Sequence, residues 1–531
     1  MVKDGKILAA KNADGKELFL LPKMANRHGL IAGATGSGKT VTLKVLAESF
    51  SEMGVPVFLA DVKGDLAGMV KEGSGMEERA AKLSLSDFGY SKYPVTFWDI
   101  FGQKGIPLRT TVDEMGPILL SRILSLNDTQ SDILTIAFRI ADENGWALTD
   151  TKDLKAILKE LSDNNKIYAD EYGKMSPNSI SAILRSVVAL EANGGEQFFG
   201  EPGLDILRDW FVTEDGKGMI NILDSQTLIN EGSLYSTFLL WMLSELFETL
   251  PEVGDLEKPK MVFFFDEAHL LFKDSSKSLI DKIEQVVKLI RSKGVGVYFI
   301  TQNPRDIPNN VLAQLGNKIQ HALHAYTPAE QKAVKAAAES FRENPAFKTY
   351  DAIMELGTGE AVVSFLGESG VPEVCEVASI LPPKSMLGGI DDSLRDSSIK
   401  GSINYSKYAN AVDNESAYEI LQRKGVMDAE EAAKKKAEEA EAKAKEKEEL
   451  AAAKAKEKEE LAKQRAEERE KKAAENAKKR AAKSVASTVS GTVGREVGKT
   501  VGSGFGKFGK TLGGNIGASL GRGIIGTLFK L

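Results

Sequence analysis

"LIAGATGSGKTVTL", residues 30–43, decides how this chain folds. An apolar run enters it, glycines crowd its centre, and a lysine and a threonine close it. Gly33-Ala34-Thr35-Gly36-Ser37-Gly38-Lys39-Thr40 fits G-x-x-x-x-G-K-[ST] in full. Glycines let successive backbone N–H groups turn inward around an anion. The start of a following helix, "VTLKVLAESFSEMG", adds partial positive charge. The segment from Gly33 to Val41 is therefore the expected nucleotide cradle. Lys39 neutralises the β- and γ-phosphates there, and Thr40 offers its hydroxyl to Mg²⁺. The strand-loop-helix setting weighs against a glycine turn that binds nothing.

Two later stretches narrow the chemistry. "MVFFFDEAH", 261–269, is a buried strand from whose C-terminal end Asp266 and Glu267 emerge. Ligands of open α/β sheets bind at that end. Asp266 is the expected Mg²⁺ residue, and Glu267 the base that polarises the attacking water. "GVGVYFITQNP", 294–304, is a second buried strand ending in Thr301 and Gln302. Gln302 is expected to contact the γ-phosphate or the water. "DVKGD", 61–65, has the D-x-x-G spacing of GTPase switch regions, but the chain has no guanine-reading N-K-x-D. The separate Asp-Glu strand favours ATP over GTP. Asp61 ends its own strand and is expected near the phosphates. An arginine from a neighbouring subunit often completes a ring ATPase site by stabilising transition-state charge. Arg291, just before the second strand, is the first candidate and Arg305 the second. His28, His269, His321 and His324 show no metal spacing.

Composition sets the outer bounds. The chain has 531 residues, 42% hydrophobic, with a formal net charge of −7 and one cysteine, Cys375. More than one domain is expected, without an internal disulfide. No signal peptide and no uninterrupted apolar run long enough for a membrane helix is evident, so a cytoplasmic protein is expected. The fold class is α/β. The zones expected from composition are 1–109, the first part of an ATPase core; 110–215, a mainly helical insertion; 216–383, the second part of the core; 384–427, a polar linker; 428–483, a charged Ala/Glu/Lys helix; and 484–531, a glycine-rich tail. In the insertion, Met115, Ile118, Leu119, Ile123 and Leu124 stand at helical spacing. The charged helix repeats "KEKEELA" at 445–451 and 456–462, with Leu450 and Leu461 as its large apolar residues. A solvated helix or weak bundle is expected over a tight coiled coil. The tail carries six Lys and Arg against one Glu from residue 485 on, with glycines every four residues. That pattern suits an anionic membrane surface or self-association, and equally a flexible tail.

The quoted motifs, with "FWDIFGQKGIPLRTTVDEMGPILLSRILSLNDTQ" and "LIRSKGVGVYFITQNPRDIPNNVLAQLGNKIQHAL", resemble the bacterial HerA-like ATPases of the DUF853 group, in the HerA–FtsK branch of P-loop ATPases. The resemblance covers about residues 5–390. It implies a RecA-like core, a hexameric ring with sites between subunits, and a motor on duplex DNA. By match it assigns Lys39 and Thr40 to phosphate and Mg²⁺, Asp266 and Glu267 to the second motif, and Gln302 to the sensor. Archaeal HerA carries an N-terminal β-barrel that docks a nuclease. Here 32 residues precede the phosphate loop, too few for that barrel, which counts against a nuclease partner. The expected function is an ATP-driven DNA translocase or helicase-type motor. The alternative is an ATPase of the same fold that moves or remodels protein, tethered to a membrane through its tail.

Overall fold

The computed structural model describes residues 1–230, 232–254, 256–272 and 277–484. The chain divides into two compact units, 1–430 and 431–531. Beside the two-residue edge strand Ile106–Pro107, the described residues of the first hold seven longer parallel strands: β1 Gly29–Ala32, β2 Val57–Asp61, β3 Val95–Asp99, β4 Ile220–Asp224, β5 Met261–Phe265, β6 Val295–Thr301 and β7 Asn317–Gln320. Their order in the sheet is β7-β1-β6-β5-β2-β4-β3. Every residue of β1, β2, β4, β5 and β6 is buried. That is why these strands read as unbroken apolar runs: both faces of a parallel sheet are covered. Aromatic rings pack against both faces, with Phe58 on Trp210 at 4.8 Å on one and Phe264 on Tyr298 at 5.1 Å between centroids on the other.

The strand order positions the site. β6 and β5 lie between β1 and β2, so the loops that leave these four strands stand side by side at one edge. Beyond β7 the sheet continues antiparallel through Glu360–Ser364, Glu376–Ile380 and Lys6–Asn12. The first residues of the chain are thus part of the sheet.

Residues 110–215 carry the helices Val112–Ile123, Asp128–Glu143, Thr151–Asp163, Asn165–Tyr172 and Pro177–Leu190. Thr111, Asn127 and Asp150 begin three of them with reciprocal capping boxes. One expectation fails locally. Met115, Leu119, Ile123 and Leu124 are buried, but Ile118 is 69% exposed. Gly116 leaves helical space at φ 69°, ψ 162°, and Pro117 follows it. The break turns Ile118 out of the register that spacing alone suggests.

Residues 384–427 are not a linker. They hold the helices Asp392–Gly401 and Tyr405–Tyr408, and the long helix starts at Ala417 rather than 428. Polar side chains dock the segment. Arg395 is buried, 3.6 Å from Asp224 and over the Phe97 ring at 4.9 Å. Lys407 pairs with Asp209 at 2.9 Å. Composition reads such residues as solvated because it cannot see that they are paired. The same segment grips the helix Lys39–Glu52. The buried Glu48 carboxylate accepts from the Lys384 N–H at 2.7 Å, the Ser385 N–H at 3.1 Å and the Ser385 hydroxyl. Fully buried Lys44 donates to Met386 O at 2.6 Å. Replacing Glu48 with alanine removes the acceptor for three donors inside the fold. The expected loss is about 3 kcal/mol, read as a lower urea midpoint at unchanged slope.

The helix Ala417–Ser484 has 68 residues and rises ~100 Å. Glu431–Lys435, Glu441–Lys445 and Glu459–Lys463 pair at 2.9, 3.0 and 3.1 Å. In each, the glutamate stands four residues before the lysine, the favourable order. Leu450 and Leu461 are exposed. No described helix is long and apolar enough to cross a membrane. The tail from 485 on, with its expected membrane or self-association role, lies outside the described residues.

Candidate functional site

The phosphate-loop motif forms a tight turn between β1 and the helix Lys39–Glu52. Gly33 and Gly38 adopt φ of 154° and 112°. Both are also crowded: a Cβ on Gly33 would lie 2.5 Å from His321 Cβ, and one on Gly38 3.1 Å from Gly359 Cα. Only glycine fits there. The loop is anchored from behind. Ala34 N donates to Ala322 O at 2.8 Å, and Gly359 N donates to Ser37 O at 2.9 Å. Thr35 and Gly36 are exposed at its tip, and Thr40 and Val41 are half-buried in the first helical turn. Lys39 is 7% exposed, and its Nζ donates to Gly33 O at 2.7 Å and Ala34 O at 2.9 Å. Burial lowers its pKa, the Lys63 charge adds to this, and Glu267 and Asp266 oppose it.

Asp266 follows β5 and is buried. Burial pushes its pKa up to about 6 against the pull of Lys63. Its Oδ1 accepts from the Glu267 N–H at 2.9 Å. Glu267 sits in left-handed backbone, φ 48° and ψ 45°. For a residue with a Cβ this costs about 1–3 kcal/mol and marks a place where geometry serves a function. Its carboxylate is nearly buried. Lys63 Nζ lies 2.9 Å from Oε1. Gln302 Nε2 donates to Oε1 and Oε2 at 3.2 and 3.3 Å, and His269 Nδ1 is 3.4 Å from Oε2. Burial alone would raise the Glu267 pKa. The Lys63 hydrogen bond and charge, with Gln302 and His269, outweigh it, so the group lies below its ordinary range. Gln302 Oε1 also accepts from Thr35 Oγ1 at 3.4 Å. One chain of contacts therefore runs Thr35–Gln302–Glu267–Lys63.

The structure thus gathers Lys39, Asp266, Glu267 and Gln302 at one edge of the sheet. It does not bring Arg291 there. Arg291 is exposed before the N-terminal end of β6, where its carbonyl accepts from Asn26 Nδ2 at 3.5 Å. The seven residues of β6 separate it from Gln302 by about 20 Å. Arg305 is on the site's edge and exposed. Asp61 ends β2, beside β5. Its buried carboxylate is occupied by its own turn, accepting from the N–H groups of Lys63, Gly64 and Leu66 at 3.2, 2.7 and 3.1 Å. Burial, then the charge of Asp65, raises its pKa to about 7. The turn it shapes carries Lys63, which sequence reading passed over. The signal was available in "DVKGD", where a lysine follows a strand-ending aspartate by two positions.

Two histidines brace the sheet. His28 Nδ1 accepts from Val297 N at 3.0 Å, so Nε2–H donates to Val287 O at 2.8 Å. His321 Nδ1 faces Glu360 O at 2.8 Å and its Nε2 faces Thr42 Oγ1 at 2.7 Å, tying the phosphate-loop helix to the strand Glu360–Ser364. Burial pushes both pKa values down to about 4. Each group binds fewer protons folded than unfolded between about 4 and 6.5. Each therefore contributes stability that is full above pH 6.5 and lost as pH falls toward 4. Histidine ¹⁵N spectra should show both rings neutral from pH 8 to 5, His28 as the Nε2–H tautomer and His321 as Nδ1–H. Protonation of either near pH 6.5 would contradict this geometry.

The oxygen donors Thr40 and Asp266 suit a hard cation such as Mg²⁺, and the glycine turn with its lysine suits the phosphates of a nucleotide. The chain is 24% identical over 350 residues to the DNA double-strand break repair helicase HerA of Sulfolobus acidocaldarius, covering 64% of this chain and 62% of that protein. It is 30% identical over 363 residues to a probable helicase of Methanocaldococcus jannaschii, covering 64% of each. The chain thus spans somewhat under two thirds of these relatives' length. Among solved structures, the unbound bacterial conjugative coupling protein TrwB aligns with a TM-score of 0.50 at 13% identity, over 74% of this chain and 92% of that one. That likeness is one of fold, the α/β fold of P-loop ATPases. The family model described as helicase HerA-like, C-terminal, matches residues 6–511, and the chain belongs to that family.

Proposed function

We propose that this chain is an ATP-hydrolysing motor that moves duplex DNA, working as a hexameric ring. The observation that carries the reading is the contact chain Thr35–Gln302–Glu267–Lys63, which joins the phosphate loop to the acid at the end of the neighbouring strand. Backbone N–H groups at the loop tip and the start of the following helix, Gly36 to Thr40, cradle the phosphates, and Lys39 neutralises their charge. Bound Mg²⁺, held by Thr40 and Asp266, supplies further charge neutralisation. Glu267 polarises the attacking water and takes its proton. Gln302, touching both Thr35 and Glu267, reports the state of the loop to the acid. Arg291 is exposed and remote from the site of its own chain, so it acts in this reading only on the site of a neighbouring subunit.

The DNA partner rests on the family and on relatives named as helicases. A net charge of −7 does not oppose it, because a few pore-lining lysines and arginines suffice for phosphate contact. Steady-state ATP hydrolysis with and without duplex DNA tests it. Several-fold stimulation by DNA, weakening as salt rises, is expected. Hydrolysis indifferent to DNA would remove that partner and leave the protein-remodelling reading, with the tail as the place to look.

A further inference from the structure

We propose that Lys63 is the positioning residue of the Glu267 carboxylate, holding it in the orientation from which it polarises water; this rests on the hydrolytic reading above. Glu267 lies outside β5 in left-handed backbone, so neither strand nor helix geometry sets its side chain. Its orientation comes from what touches it. Gln302 shares one N–H₂ group between both oxygens, at 3.2 and 3.3 Å, and follows the loop through a long contact to Thr35. Lys63 makes the shorter bond, 2.9 Å to Oε1 alone.

Lys63 also stands on the firmer base. Three N–H groups of its turn converge on the buried Asp61 carboxylate. Gly64 has φ of 76°, and a Cβ there would lie 2.4 Å from the Gln226 amide. A few residues on, Gly68 N donates to Gly388 O at 3.0 Å, and a Cβ on Gly68 would lie 2.3 Å from Met386 O. The turn is thus fixed from within by Asp61 and from outside by the docked 384–389 segment. An ammonium on such a turn holds Oε1, while Oε2 meets Gln302 and His269 only through longer contacts of 3.3 and 3.4 Å and keeps acceptor capacity for water. The Lys63 side chain is 43% exposed, and an ion pair that open to solvent adds little to stability. What it adds is orientation.

The test is steady-state ATP hydrolysis by the full chain, as wild type, Lys63→Ala, Lys63→Arg, Glu267→Gln and the double variant Lys63→Ala/Glu267→Gln. Affinity for a fluorescent ATP analogue is measured on each. Lys63→Ala should lower kcat at least tenfold, with KM and nucleotide affinity within twofold. Lys63→Arg should return to within threefold of wild type. In the Glu267→Gln background, Lys63→Ala should cost less than twofold, because the group it positions is already gone. Unchanged or raised kcat in Lys63→Ala overturns the proposal, as does a full multiplicative loss in the double variant. Wild type that hydrolyses normally beside a fully active Lys63→Ala sinks this proposal alone. Wild type with no hydrolysis sinks the hydrolytic reading and this proposal with it. If Lys63→Ala fails to bind nucleotide, Lys63→Met keeps the aliphatic stem and is judged by the same limits.

Discussion

Glu267→Gln lowers ATP turnover about a thousandfold and leaves nucleotide affinity within a few-fold of wild type. General-base assistance is worth ~10²–10⁴ in rate, and a neutral amide cannot accept the proton of the attacking water. The substitution keeps the shape of the side chain and the left-handed backbone, so packing at the end of β5 is not disturbed. Binding survives for an electrostatic reason. The Glu267 charge is one of the influences that raise the pKa of Asp266 to about 6, after burial. Removing that charge lets Asp266 ionise more readily, which favours a bound cation. Lys63 loses its partner but is exposed enough to be solvated. Phosphate release gives the rate, and a fluorescent nucleotide gives the affinity. A variant that keeps more than a tenth of wild-type turnover would remove Glu267 from the role of base.

Much of this site was legible because its chemistry constrains the backbone. Gly33 and Gly38 stand where a side chain would collide, and in the proposed reading a lysine and a threonine follow them to meet phosphate and cation. Such demands leave a fixed spacing in the sequence. Asp266, Glu267 and Gln302 were legible for a related reason: β5 and β6 are buried on both faces, so the first polar residues after each run mark the sheet's functional edge. The strand order then brings those edges together, and the order itself is not written locally.

What was not legible depends on partners far along the chain. Lys63 and Glu267 are 204 positions apart and meet only because β5 lies beside β2. The Asp61 carboxylate is taken up by its own turn, which only the local backbone path shows. The segment 384–427 looked like a linker because Arg395, Lys407 and Asn404 are polar. They are docked because Asp224 and Asp209 wait for them on the core. Ile118 followed the helical period until Gly116 and Pro117 broke the helix. Arg291 and Gln302 stand at opposite ends of a seven-residue strand, and a contact made across a subunit boundary is not written in the fold of one chain.

Lys39→Met separates the cost of this site to the fold from its use. At neutral pH the native chain holds an ammonium almost buried, with its pKa lowered mainly by burial. A lysine with a lowered folded pKa opposes folding wherever it is charged, because the unfolded chain keeps the proton more readily. Methionine preserves most of the aliphatic stem, forfeits two hydrogen bonds to Gly33 O and Ala34 O, and relieves the buried charge. The melting temperature without nucleotide should therefore not fall. The response to nucleotide should vanish. A ligand at a hundred times its Kd stabilises the native state by about 2.7 kcal/mol, and wild type should show that gain with MgATP. Lys39→Met at the same concentration should show almost none, because the glycine turn keeps its N–H groups but loses the full charge that meets the phosphates. Calorimetric melting of both proteins, with and without MgATP, reads the two effects in one experiment. A variant that melts several degrees lower without nucleotide would assign Lys39 to holding the loop together. A variant that still responds fully to MgATP would place the phosphates elsewhere.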